Sequence, residues 1–249
     1  MLKDKKILIF DLDDTLIDNL ENVRYAFKKM LEMKGEEYSD NKFKRWYEID
    51  KKFWKDWQDG LIELPEHLKN EKGKKSEEFL NWLRAQRVLI YFNNTISLDE
   101  AIKLNTLYMN ALTENVIAID GAYETLKNLS EKGYYIIIAT NGPKIATKEK
   151  LLKIDCLQFV NEVLSADMYG YMKPNKEFFE GIERTVNNYN VDEYLIIGDS
   201  LKSDIGFAMK CNFESCWFNK NNEVLDDEYK PTIIISNLRE LMNRLRKNY

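Results

Sequence analysis

Short runs of apolar residues set the rhythm of this chain. They fall at residues 7–10, 134–139, 162–165, 194–197, 215–218 and 232–235, nearly continuous rather than alternating. Runs of that kind predict strands buried on both faces. Between the later runs the apolar positions switch to helical spacing. The switch predicts helices over 121–132, 144–154, 176–189 and 203–210, and a closing helix over 237–247. Strands alternating with helices predict an α/β fold with a doubly wound parallel sheet.

Residues 17–116 follow another pattern and predict an all-α insert. Asp18 can cap a helix carrying Leu20, Val23, Phe27, Met30 and Leu31, ended by Gly35. Residues 41–57 repeat the spacing with aromatics: Phe43, Trp46, Tyr47, Phe53, Trp54 and Trp57. Ser76 opens a third helix through Phe79, Leu83 and Arg87. Ser97 and Glu100 read as a capping box before a fourth, with Ile102, Leu107 and Leu112. A Lys/Glu-rich loop at 67–75 interrupts the insert, and no internal repeat is visible. The expected division is a core of 1–16 and 117–249 around a helical domain of 17–116.

Composition narrows the function classes. The chain has 249 residues, 44% hydrophobic and 32% charged, enough for a substantial core. Its net charge of −5 argues against a partner that is a nucleic-acid polymer or an anionic membrane, since either needs a basic face. The first apolar run is too short for a signal peptide, and no run is long enough to span a bilayer. Cys156, Cys211 and Cys216 are an odd number with no nearby histidine, which suits neither a disulfide framework nor zinc. A cytoplasmic protein with reduced thiols is the expectation. The sequence carries no signal for oligomeric state.

The chemistry sits where the strands end. Asp11, Asp13 and Asp14 follow the first run directly; Thr140 and Asn141 follow the run 134–139; Gly198 and Asp199 follow 194–197. In a parallel sheet these ends share one edge, where ligands bind. Carboxylates gathered there repel one another unless a cation neutralises them, and oxygen-only ligands select a hard one, most simply Mg²⁺.

Taken together these residues resemble the haloacid dehalogenase superfamily in its phosphatase branch. Asp11-Leu12-Asp13-Asp14-Thr15 matches its D-x-D-x-T signature, and Thr140-Asn141-Gly142 its second motif. Lys173-Pro174 matches the third, and Gly198-Asp199 with Asp204 the fourth. The resemblance implies a Rossmann-like core with an inserted helical cap, and a Mg²⁺-dependent hydrolase acting on a small-molecule phosphate ester. It implies Asp11 as nucleophile, Asp13 as general acid and base, and Lys173 as charge screen. Thr140, Asn141 and Gly142 would bind the phosphoryl oxygens. The Asp11 carboxylate, the Asp13 backbone carbonyl and Asp199 would hold Mg²⁺, with Asp204 behind them orienting Lys173 or a water. Asp14 is expected to support the turn. His67 and the basic stretch 69–75 are expected to face solvent, and the aromatics of 43–57 to fill the cap core.

Three rivals share parts of this pattern. A haloalkanoate dehalogenase needs no metal and usually lacks the second acid, so Asp13 argues against it. A phosphomutase would use the same core residues. A receiver-type signalling module has a shorter chain, with its acceptor aspartate on a middle strand. Within the family, the long cap and the first two motifs look most like the pyrimidine 5′-nucleotidase-like members that hydrolyse nucleoside monophosphates. A phosphoglycolate-type phosphatase is the alternative.

Overall fold

The computed structural model describes residues 2–3, 5–71, 77–169, 171–186 and 190–246. Its strands are β1 (Leu2–Lys3), β2 (Ile7–Phe10), β3 (Tyr135–Thr140), β4 (Glu162–Ser165), β5 (Tyr194–Gly198), β6 (Glu214–Phe218), β7 (Ile233–Ile235) and β8 (Leu245–Arg246). Six of them form one parallel sheet in the order β4-β3-β2-β5-β6-β7. The chain winds from β2 outward to β4, then returns to lay β5 on the other side of β2. The order therefore reverses beside β2, which is where open α/β sheets bind ligands.

Both faces of the sheet are buried, which explains the continuous apolar runs. Leu8, Phe10, Ile136, Ile138, Leu195 and Ile197 pack on one face with Leu126, Leu129 and Leu241. Ile7, Ile9, Ile137, Ala139, Tyr194 and Ile196 pack on the other with Phe178, Ile182 and Phe207. Each such side chain, fully buried, contributes about 1.5–3 kcal/mol. This is the doubly wound α/β architecture that the run pattern predicts.

The chain divides into two compact units, one ending at Asn19 and resuming at Val116, the other spanning Leu20–Asn115. Asp18 N–H donates to the Ile117 carbonyl and Ile119 N–H to the Leu16 carbonyl, so Ile17 and Asp18 stay with the sheet unit.

The second unit contains α1 (Asn19–Lys34), α2 (Asp40–Gln58), α3 (Glu77–Tyr91) and α4 (Leu98–Ala111). Gly35 ends α1 with a left-handed φ of 68°, a conformation that favours glycine. Ser39 caps α2 by accepting from Lys42 N–H. Ser97 accepts from Glu100 N–H, while the Glu100 carboxylate takes a bond from Lys34 Nζ at 2.6 Å. The aromatics build the interior as expected: Phe43, Trp46 and Phe53 are buried, and Phe27 stacks on Trp46 at 5.7 Å. Arg87 is buried among them, ion-paired with Asp50, donating to Asn105 at 2.9 Å and lying over Trp46, Trp54 and Tyr108.

The sheet unit carries α5 (Ala122–Glu131), α6 (Lys144–Lys153), α7 (Ala166–Tyr169), α8 (Lys176–Thr185), α9 (Gly206–Cys211) and α10 (Leu241–Arg244).

Three expectations need correction. The helix expected over 203–210 begins as a π-helical turn, Leu201–Ile205, because Asp204 is drawn back to accept from Ser200 N–H. The closing helix over 237–247 is a 3₁₀ turn plus α10. Leu245 and Arg246 then extend to pair with Leu2 and Lys3, burying Leu2 and Leu245. The loop at 67–75 starts within a 3₁₀ helix, Glu66–Glu71, that buries Leu68 and leaves His67 exposed. Ser76, the rest of that loop, the last residues of the helix expected over 176–189 and Lys247 lie outside the described residues.

Cys156, Cys211 and Cys216 are all buried, and none of them is in a disulfide. Among the described residues no helix is long and apolar enough to cross a membrane.

Candidate active site

The end of β2 sets the first two acids. Leu12 and Leu16 turn inward and are buried, and the N–H groups of Leu16 and Ile17 fold back onto the Leu12 carbonyl. Asp11 and Asp13, on either side of Leu12, are left facing the sheet edge. Asp14 takes a left-handed φ of 62°, donates its N–H to Ile17 O, and pairs with Lys220 at 3.4 Å. It supports the turn, as expected.

Neighbouring strands bring the rest. Asp11 N–H donates to the Ile197 carbonyl at 2.8 Å, which locks the end of β2 against β5 and its successor Asp199. On the other side of β2, β3 ends in Thr140. Its hydroxyl accepts from Gly142 N–H at 3.0 Å, closing the turn at Asn141.

Lys173 arrives by the loop after α7 and is clamped by Asn141. The Lys173 N–H donates to Asn141 Oδ1 at 2.7 Å, and Asn141 Nδ2 donates to the Lys173 carbonyl at 3.2 Å. The clamp aims the Lys173 ammonium between two carboxylates, with Asp11 Oδ1 at 2.7 Å and Asp204 Oδ1 at 2.6 Å. Asp204 is itself buried, and its other oxygen accepts from Ser200 N–H at 3.1 Å. Both of its oxygens are therefore engaged, which suits a residue that orients Lys173.

Electrostatics separates this cluster from an ordinary salt bridge. One oxygen each from Asp11, Asp199 and Asp204 lie within 4.8 Å of one another. Three carboxylates against one ammonium leave two negative charges in a buried place. Burial comes first in pushing Asp11 up to about 7; Lys173 pulls the other way, and Asp204 adds to the rise. Burial and the charges of Asp11 and Asp204 raise Asp199 as well. For Lys173, burial favours the neutral amine, but the two carboxylates outweigh it and hold the ammonium. A deficit of two charges, walled by oxygen donors, fits a small divalent hard cation.

Thr15 closes the D-x-D-x-T stretch, but what it holds is not visible in the sequence, nor are the contacts of Trp217 and Lys150. Thr15 Oγ1 accepts from Asp199 N–H at 3.0 Å, and Trp217 Nε1 donates to the Asp199 carbonyl at 2.7 Å. Lys150 Nζ reaches Asp13 Oδ1 at 2.7 Å. The spacing of α6 offered a hint: Lys150 lies three residues after Thr147 and one before Leu151, on the buried face.

A profile of haloacid dehalogenase-like hydrolases matches residues 5–212. Pyrimidine 5′-nucleotidase PynA of Streptococcus pneumoniae is 26% identical, covering 98% of this chain and 96% of its own. Glyceraldehyde 3-phosphate phosphatase of Pyrococcus furiosus is 28% identical, covering 97% and 93%. Among solved structures, the magnesium-bound HAD-hydrolase YfnB of Bacillus subtilis superposes with a TM-score of 0.83. It is 23% identical, covering 96% of this chain and 98% of that one. With the four motifs gathered at one edge of the sheet and the profile spanning most of its length, this chain belongs to the haloacid dehalogenase-like hydrolase family.

Proposed function

We propose that this hydrolase is a Mg²⁺-dependent phosphohydrolase that cleaves a small phosphate monoester through an aspartyl-phosphate on Asp11. The observation that carries the reading is the Asp11, Asp199 and Asp204 cluster sharing the Lys173 ammonium. The Asp11 carboxylate, the Asp13 backbone carbonyl and Asp199 would hold Mg²⁺, which when bound supplies the positive charge that lets an anion approach a phosphate dianion.

The chain's own groups do the rest. Lys173 screens Asp11 and the phosphoryl oxygens. The Thr140 hydroxyl and the Asn141 backbone N–H donate to those oxygens, and the Gly142 N–H, which donates to the Thr140 hydroxyl, joins them when a phosphoryl oxygen takes that hydroxyl's place as acceptor. An Asp11 oxygen bonds to phosphorus as the ester P–O bond breaks, and Asp13 gives its proton to the departing oxygen. Asp13 then takes a proton from water, whose oxygen bonds to phosphorus as the Asp11 O–P bond breaks.

Asp11→Asn keeps the size and removes the nucleophile. Phosphate release from p-nitrophenyl phosphate should fall by several orders of magnitude, each tenfold being about 1.4 kcal/mol of barrier. Substantial residual turnover would overturn the assignment.

The helical unit is read as the cap that selects the leaving group. A nucleoside 5′-monophosphate is the preferred substrate class, supported by the resemblance to pyrimidine 5′-nucleotidases such as PynA. The cap aromatics add little to this reading, since Phe43, Trp46 and Phe53 are consumed by packing. A triose phosphate is the second reading, favoured by the glyceraldehyde 3-phosphate phosphatases at 28% identity. A kcat/KM panel over nucleotides, triose phosphates, phosphoglycolate and hexose phosphates decides between them. Isomerisation of a sugar phosphate without phosphate release would instead indicate a mutase.

A further inference from the structure

We propose that Lys150 is the positioning residue for Asp13, holding it in the pose from which it exchanges a proton with the leaving oxygen. The inference rests on the phosphohydrolase reading above and deepens it.

Lys150 projects from the buried face of α6, and its side chain is 7% exposed, against 33% for Asp13. A buried ammonium is unfavourable unless it is paired. Its ion-pair partner here is Asp13 Oδ1, at 2.7 Å and 137 residues away in sequence. The bond engages one carboxylate oxygen and leaves the other. Asp13 Oδ2 lies 3.9 Å from where a Cβ on Gly142 would stand, and Thr140 Oγ1 lies 3.4 Å from the same point. Asp13 Oδ2 therefore faces the turn read as the phosphoryl cradle.

An aspartate with both oxygens free could rotate about its side-chain bonds and face either way. With Oδ1 tied to α6, Oδ2 carries the proton in both half-reactions: to the ester oxygen in the first, from the attacking water in the second. Lys150 transfers no proton in either. Proton transfer needs heavy atoms about 2.6–3.2 Å apart, and a misplacement of about 1 Å can cost on the order of 10²-fold. Thus in the first half-reaction, the one that kcat/KM reports, the lysine matters only where a proton must reach the leaving group, while its hold on the base of the second half-reaction is common to all esters.

Leaving-group dependence separates this role from a structural one. A p-nitrophenolate departs without protonation, whereas an alkoxide does not. The measurement is kcat/KM on p-nitrophenyl phosphate and n-propyl phosphate for wild type, Lys150→Met, Lys150→Gln, Lys150→Arg, Asp13→Asn and the Asp13→Asn/Lys150→Met double variant. Asp13→Asn should lose roughly 10²–10⁴-fold on the alkyl ester and far less on the aryl one. Lys150→Met and Lys150→Gln should lose about tenfold more on the alkyl ester than on the aryl one. Lys150→Arg should recover most of that difference, and the double variant should be no worse than Asp13→Asn. Melting temperatures accompany each assay, and Lys150→Gln and Lys150→Arg carry the comparison if Lys150→Met does not fold. Equal losses on both esters for the Lys150 variants, with Asp13→Asn still selective, overturn the role of Lys150 alone. An Asp13→Asn enzyme that is not selective overturns the acid assignment, and the Lys150 role with it.

Discussion

Thr15 and Asp199 are joined twice across 184 residues of sequence. The Thr15 hydroxyl accepts from the Asp199 backbone N–H at 3.0 Å and donates to Asp199 Oδ1 at 3.3 Å. One hydroxyl thus fixes both the position of the β5 end and the direction of its carboxylate, while Trp217 holds the carbonyl of the same residue.

Thr15→Val keeps the shape and removes both bonds. The half-buried Asp199 N–H loses its acceptor, which costs about 0.5–1.5 kcal/mol of stability. Supports of this kind behind a ligand are worth roughly 10–100-fold in metal affinity. The Mg²⁺ concentration for half-maximal phosphate release should rise by that factor. An unchanged Mg²⁺ titration would show that Asp199 is not a ligand or needs no support.

Gly198→Ala should disable the site by collision. A Cβ there would stand 2.2 Å from Asp204 Oδ2 and 2.3 Å from its Cγ. Asp204 cannot simply swing away, because Lys173 and the Ser200 N–H hold its two oxygens. Overpacking of this kind costs about 1–3 kcal/mol, occasionally more. Chemical denaturation should show the loss, and activity should drop as Lys173 is displaced. Wild-type stability together with wild-type turnover would contradict the geometry.

The cluster of acids around Lys173 was more legible in the sequence than some of its supports. Asp11, Asp199, Lys173 and Asp204 follow strands or carry motif spacing, and the structure gathers all four. Lys150 was not legible because a lysine within a helix ordinarily reads as solvent-facing; only its place between Thr147 and Leu151 marks the buried side. The side chain of Asn141 was not legible as a clamp on Lys173, since that contact closes across 32 residues. The β1–β8 pairing involves two residues on each strand, too few to produce any period, and helical spacing at 237–247 outweighed it.

The thiols should be inert in the folded protein. Burial, then the charges of Asp155 and Glu124, push the Cys156 thiol up to about 12, and burial raises that of Cys216 further. The reactive form is the thiolate, so neither should react with an aromatic disulfide reagent near neutral pH. All three cysteines should react once the chain is unfolded. Rapid native labelling of Cys156 or Cys216, read by mass spectrometry, would show that the interior around them opens.

Removal of the cation tests the acid cluster most directly. The ordinary Asp11 carboxyl value is 3.8, and burial in the metal-free fold lifts it to about 7. A folded state that keeps a proton the unfolded chain has given up loses stability as pH rises. The contribution of Asp11 is therefore complete below 3.8 and is lost as pH climbs through about 7, and Asp199, raised by burial and by its neighbours, acts in the same direction. In excess chelator the melting temperature should decline across that window. A ligand that binds only the folded chain adds RT ln(1 + [L]/Kd), about 2.7 kcal/mol at a hundredfold excess over Kd. Mg²⁺ competes with protons for these carboxylates, so its stabilising increment should grow from about pH 5 to about pH 8. Asp199→Asn removes one of three mutually repelling carboxylates and one candidate ligand. Its melting temperature in chelator should match or exceed that of wild type, while the Mg²⁺ increment should largely vanish. Calorimetry with and without chelator at both pH values checks both halves. A wild-type protein indifferent to Mg²⁺ at the higher pH, or an Asp199→Asn variant that retains the full increment, would show that the acids are not gathered there to hold a cation.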